Sequence, residues 1–299
     1  MNFLILHSSE DKASMNILER FQETEQYRFQ EIDVSIQNNK IFELIDLKNS
    51  LLDTTHIFLA LVDESLIYLK ELKFNNIDFN PDLLIFASRH RSKTARPAFL
   101  VHSTGNWTSD TKFGGEAYQL SNTSALMIKA GLSAFLKLFE CSNFSKFNID
   151  LEVTHHGPTA LTTPLIFMEL GSSEDEWSIQ EAGRLVSEAI IGAILKFIEF
   201  NEEGNQKVGL GFGGTHYAPN FNRLITNNDI ALSFICPKYF ITNLNEMMIN
   251  QMINNTYEHV DYFIIDWKGT SSDDKKHLIP LLESYNLPIM KTKDFKISK

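Results

Sequence analysis

Five histidines stand at or just beyond the ends of apolar runs in this 299-residue chain: His90, His102, His155, His156 and His216. Imidazole can bind a metal or move a proton near neutral pH, and a carboxylate can orient it or act as a base. With Glu152 or Glu169, these residues could supply zinc ligands, although their spacing matches no local zinc signature. Glu169, in Phe-Met-Glu-Leu-Gly, could equally be a general base, an orienting partner of a histidine or a salt-bridge residue. The adjacent pair His155-His156 is closed off by Gly157-Pro158. On an extended backbone the two rings point to opposite faces, whereas an early turn at Gly157 brings both into one cleft.

Two further motifs bear on chemistry. Gly209-Leu-Gly211-Phe-Gly213-Gly214 contains a G-x-G-x-x-G, with Asp229 where a ribose-binding acid would be expected. A dinucleotide site needs a helix opening at the last glycine, and Pro219 obstructs one continuing from there. What remains is a glycine strand-end beside His216. The backbone N–H groups of Gly213 and Gly214 are expected to approach an oxyanion or phosphate there. Arg89, His90, Arg91, Lys93 and Arg96 form a basic run that reads as a solvated loop or as a phosphate contact. No nucleophile elbow, Walker loop or HExxH helix is present.

These groups need rigid elements to hold them. Apolar runs at Phe3–Ser8, His56–Val62, Leu83–Ser88, Ala98–Ser103, Phe147–Val153, Leu165–Leu170, Lys207–Phe212, Ile230–Cys236 and Tyr262–Asp266 predict strands. Several are apolar on successive residues, as strands covered on both faces are. Helical spacing falls on Ala13, Ile17, Leu18 and Phe21, on Ala125–Phe139 with Ser121, Asn122 or Thr123 as caps, and near 243–257 and 272–285. Ser173 and Glu176 have capping-box spacing ahead of a helix running to Phe200. The alternation predicts an α/β fold with a mixed, largely parallel central sheet flanked by helices. One domain over 1–299, or two halves sharing one sheet, accommodates it.

Composition excludes several classes. No run reaches the roughly 18 apolar residues of a membrane span, and the apolar start is too short for a signal peptide. Cys141 and Cys236 are too few for a disulfide framework and are expected as free, buried thiols in a reducing cytosol. A formal net charge of −11 argues against broad nucleic-acid binding, DNA included, but leaves room for a local cationic patch.

The strand-end motifs, in order, resemble those of the archaeal and plant D-aminoacyl-tRNA deacylases. The resemblance runs through most of the chain: Phe3-Leu-Ile-Leu-His-Ser-Ser9, Ser88-Arg-His90, Val101-His-Ser-Thr-Gly-Asn106, Thr154-His-His-Gly-Pro-Thr159 and Glu169-Leu-Gly-Ser-Ser173 with Trp177. Phe212-Gly-Gly-Thr-His-Tyr-Ala-Pro219, Pro237-Lys-Tyr239 and Asp266-Trp-Lys-Gly269 complete it. Thr215 stands where the family more often has a further glycine. The resemblance implies cytoplasmic hydrolysis of the ester joining a D-amino acid to tRNA, dependence on Zn2+, and a fold like phosphorylase and peptidyl-tRNA hydrolase enzymes. It makes His155, His156, His216 and Glu169 the catalytic candidates, with the three histidines as metal candidates. Arg89, His90, Arg91, Lys93, His102, Thr154, Gly213, Gly214, Tyr217 and Lys268 are then expected to contact substrate, and Tyr217 or Trp107 to stack on the terminal adenine. Two other readings stay open: a zinc-dependent hydrolase or nucleoside phosphorylase acting on a small molecule, and a non-catalytic tRNA-binding protein.

Overall fold

The structure, a computed structural model, describes residues 1–47, 49 and 54–295. Its strands form two sheets rather than one shared by two halves. The larger has eight strands: β1 (Asn2–Ser8), β2 (Arg28–Ile36), β3 (Asn39–Ile45), β4 (His56–Val62), β5 (Leu83–Arg91), β6 (Ala98–His102), β7 (Asn148–Leu151) and β8 (Leu165–Ser172). Their spatial order is β2-β3-β4-β1-β5-β8-β6-β7. The smaller contains β9 (Lys207–Phe212), β10 (Ile230–Cys236), β11 (Tyr262–Ile265) and β12 (Ile289–Lys291), all paired parallel in the order β10-β9-β11-β12.

All nine predicted strands form, within a few residues of the expected bounds. The hairpin β2–β3 and the short β12 were not anticipated. β2 alternates polar and apolar residues at a sheet edge, and Gln37 and Asn38 turn it with φ of 50° and 66°. Two successive residues at positive φ suit the twist of a two-residue hairpin.

Seven helices occur among the described residues: α1 (Lys12–Glu23), α2 (Ala125–Phe139), α3 (Glu174–Trp177), α4 (Gln180–Glu203), α5 (Pro219–Thr226), α6 (Glu246–Asn254) and α7 (Ser272–Glu283). Ser124, not one of the three residues before it, caps α2 by accepting from the Met127 N–H. The Ser173/Glu176 capping box heads the one-turn α3, and α4 starts afresh three residues later. Pro219 opens α5 at its first position, where the missing N–H costs nothing.

The period-two alternation of the large sheet separates its faces. Phe3, Ile5, Ile85, Ala87, Phe99, Val101, Met168 and Leu170 pack against α1, α2 and α4. Leu4, Leu6, Leu84, Phe86 and Phe167 face the other way, with Val34, Leu66, Leu69 and Leu161 over them. Ser88, His90, His102 and Glu169 have this second parity. α2 also packs on β10 and so braces both sheets. Cys236 is buried, but Cys141 is exposed, contrary to expectation. Among the described residues no helix is long and apolar enough to cross a membrane.

Candidate active site

Strand register brings the polar groups of the second face together. Glu169 is paired with Ser88 across β5·β8 and with Leu100 across the antiparallel β6·β8, while His102 pairs with Phe167. Ser88 Oγ donates to Glu169 Oε1 at 2.8 Å. His90 Nδ1 lies 3.4 Å from Glu169 Oε2 and 3.3 Å from Glu152 Oε2. Glu152, one residue past β7, has no exposed side-chain surface, and its Oε1 lies 2.7 Å from His216 Nε2. His102 Nε2 is 3.7 Å from Glu169 Oε2 and 3.9 Å from Glu152 Oε2. The site therefore rests on a sheet face as well as on the strand ends where it was expected.

Three histidines are fixed in one tautomer by backbone carbonyls. Nδ1–H of His102 donates to Ser103 O at 3.0 Å, that of His155 to Val153 O at 2.8 Å, and that of His156 to Gly157 O at 2.6 Å. Each hydrogen bond leaves Nε2 as the nitrogen that can turn to a metal, the arrangement metal-binding histidines adopt. Ring centroids are 4.4 Å apart for His155–His156, 4.5 Å for His102–His155 and 4.9 Å for His102–His156. The adjacent pair thus shares one cleft, the outcome expected of an early turn: His156 has φ +42°. Gly157 is held by its N–H donating to Phe113 O at 3.0 Å. A Cβ there would collide with the Gly115 nitrogen and the Ile67 carbonyl oxygen, so the turn needs glycine for close approach.

Burial and neighbouring charge set the protonation states. Burial alone would lower His90, but the Glu152 and Glu169 carboxylates outweigh it and push the imidazole up to about 11. Burial would raise both glutamates, yet His216 and His90 hold Glu152, and His102 and His90 hold Glu169, below the usual carboxylate range. Burial, then the neighbouring imidazoles, drives His155 well down and His156 to about 4. These two are neutral, as ligands must be.

Neither carboxylate oxygen of Glu152, nor His102 Nε2, makes a hydrogen bond of acceptable geometry, although all three atoms are buried. Leaving a buried charged group so poorly satisfied is costly unless a cation completes it. The residues fit a divalent ion. Ligand atoms converge within 4.8 Å in three groups: His102, His155 and His156; Glu152, His155 and His216; and His90, Glu152 and Glu169. The expected trio of His155, His156 and His216 is not among them. His102 completes the triple-histidine group, and His216 joins His155 through Glu152.

Several other expected contacts serve the fold instead. The Gly213 N–H donates to Cys236 O at 2.8 Å and that of Gly214 to Gly269 O at 3.2 Å, so neither amide is free for an oxyanion. Thr154 is buried, with Oγ1 in hydrogen bonds to Ser103 Oγ at 2.8 Å and the Ile235 N–H at 3.0 Å. Trp107 is buried too, its indole donating to Thr154 O, and cannot stack on a base. Arg89 points away from His90, as strand alternation requires, and its guanidinium donates to Glu10 O and lies 5.6 Å from the Trp177 ring. Arg91 and Lys93 are exposed, as is Lys268 on the turn after β11.

Tyr217 does border the site, with Oη 3.4 Å from His90 Nε2. Two neighbours were missed. Arg96, which also pairs with Asp150, covers the Tyr217 ring at 4.5 Å. Tyr239 places Oη 3.5 Å from His216 Nδ1. Arg96 belonged to the basic run and Tyr239 to a quoted motif, but no local spacing tied either to a histidine.

Fold and site together define an α/β protein with a buried histidine–carboxylate centre assembled from two sheets. The chain belongs to the D-aminoacyl-tRNA deacylase family, whose profile matches residues 77–290. It is 32% identical over 292 residues to a D-aminoacyl-tRNA deacylase of Pyrococcus abyssi, covering 96% of this chain and 99% of that one. It is 31% identical over 288 residues to one of Methanocaldococcus jannaschii, covering 95% and 97%. The fold matches the crystal structure of a conserved protein of unknown function with TM-score 0.80 and 29% identity, over 98% of this chain and 96% of that one.

Proposed function

We propose that this chain hydrolyses the ester of D-aminoacyl-tRNA in the cytoplasm, giving free D-amino acid and tRNA, and that it uses Zn2+. Family membership supports the reaction. The observation that carries the mechanism is Glu152, fully buried, without a well-made hydrogen bond, and ringed by histidines.

His102, His155 and His156 would hold zinc through Nε2, with Glu152 beside them. When bound, the ion lowers the pKa of water toward about 7 and polarises a carbonyl oxygen. An aminoacyl ester is already reactive, so the protein's own task is to place the carbonyl and move one proton. His216 is suited to the second task. Its Nε2 faces Glu152, which orients the ring, while Nδ1 lies beside Tyr239 Oη. In this reading Nδ1 takes a proton from the attacking water and returns it to the departing ribose oxygen. Glu169 acts through others: held by Ser88, it keeps His90 charged and His102 in place. Exposed Arg91, Lys93 and Lys268 would meet phosphates of the acceptor arm.

The test is deacylation of D-tyrosyl-tRNA against L-tyrosyl-tRNA by the purified protein, with and without a chelator. Rapid loss of the D-ester alone, abolished by the chelator and restored by zinc, is expected. Equal loss of both esters would leave a general esterase, and loss of neither would overturn the assignment.

A further inference from the structure

The loop that follows β6 buries the aromatic side chain expected to stack on a base, Trp107, yet exposes another, Phe113, at 60%. Beside it, from a separate segment, Tyr68 is 50% exposed and donates from Oη to Lys112 O at 3.1 Å. Lys112 Nζ lies 5.5 Å from the Phe113 ring centroid. Two open rings and a cation are therefore gathered on one surface.

That surface is fastened to the histidine turn by backbone. Phe113 O accepts from the Gly157 N–H, one residue after His156. Gly114, at φ +80°, is packed so closely that a Cβ would strike the Ile67 carbonyl oxygen. Gly157 meets the Ile67 carbonyl oxygen and the Gly115 nitrogen in the same way. Tyr68 and Phe113 are thus held at a fixed offset from His156, with no flexible segment between.

Open rings on a rigid support are the means by which proteins hold unpaired nucleotides, because every base has a π-face. The charge pattern favours stacking over a phosphate track: Lys70, the next cation along, is paired with Glu116 at 3.2 Å. We infer that Tyr68 and Phe113 form the platform for the unpaired 3′-terminal bases of the tRNA, with Lys112 meeting one adjacent phosphate. The inference rests on the proposed deacylase reading, since it is the terminal nucleotide that brings the ester to His156.

The test separates binding from hydrolysis. Fluorescence anisotropy of a labelled, uncharged RNA microhelix ending in single-stranded ACCA is measured with the wild-type protein, Tyr68→Ala, Phe113→Ala and Phe113→Trp. Both rings are largely open, so the alanine variants are expected to fold, which circular dichroism checks. Each alanine should weaken binding about ten-fold, Phe113→Trp should bind as the wild type, and a blunt-ended duplex should show no difference among them. Unchanged affinity in both alanine variants, or equal loss for the blunt duplex, would overturn the platform. If the alanine variants lose affinity while the wild type fails to hydrolyse D-tyrosyl-tRNA, the platform stands and the deacylase reading falls.

Discussion

Glu152 Oε1 meets His216 Nε2 at 2.7 Å, and the two residues come from different sheets. Glu152 follows β7 of the large sheet, and His216 follows β9 of the small one. The backbone repeats the junction: the Val153 N–H donates to His216 O at 2.9 Å and the Thr154 N–H to Ile235 O at 3.0 Å.

Replacing Glu152 by Gln keeps its shape and removes its charge. The variant should retain zinc and deacylate D-tyrosyl-tRNA about 10- to 100-fold less well. Elemental analysis after dialysis and the rate of ester loss check this, and full zinc content with full activity would contradict it.

Thr154→Val leaves the Ile235 N–H without its side-chain acceptor at a buried junction. A loss of about 1–3 kcal/mol in unfolding free energy is expected, with Thr154→Ser close to wild type. Urea denaturation reads the difference.

Gly157→Ala forces backbone apart beside His156. Displacements on the order of 1 Å near reacting groups cost about 100-fold in rate. The variant should keep its far-UV circular dichroism while kcat/KM falls by that order; unchanged kcat/KM would show that the turn tolerates the shift.

His7 sets a pH dependence away from the site. It is fully buried, donates from Nδ1 to Ser14 O at 3.1 Å, and burial lowers its pKa to about 4, the Ser14 carbonyl opposing only in part. The unfolded chain, with a histidine pKa of about 6.5, binds the proton first as pH falls. Stability from this residue is therefore whole above about 6.5 and is lost as pH falls toward 4, by about 3 kcal/mol. His7→Gln should show a correspondingly shallower loss over that window in denaturation midpoints; parallel curves would refute it.

What the sequence disclosed follows from which forces are local. Runs such as Phe58-Leu-Ala-Leu-Val62 announce buried strands because both faces must be covered. β2 was hidden because polar side chains, Arg28, Gln30, Glu31 and Asp33 among them, interrupt its apolar residues at an edge. The division into two sheets, and the antiparallel β6 beside β8, depend on pairing partners that no single run specifies. In the site, His155 and His156 stood out by adjacency, whereas the central place of Glu152 arises only when β7 comes beside β6. Thr154, Gly213 and Gly214 were read as substrate contacts because polar and glycine residues after a strand look alike whether they serve a ligand or the backbone of another strand. Arg89 was misplaced for a simpler reason: β5 continues to Arg91, so neighbours along it face opposite ways.

The crossing from Glu152 to His216 also bears on how such a gene can be divided. α4 is capped by Gly204, in a left-handed conformation at φ 62°, and the chain before it carries six of the seven clustered residues, both carboxylates included. The chain after it carries His216 and Tyr239. Neither portion holds the whole cluster, so polypeptides divided at Gly204 are expected to be inactive apart and active when produced together, which an assay of the two portions checks. On that expectation, fission of the gene here would be tolerable only where both products are made together.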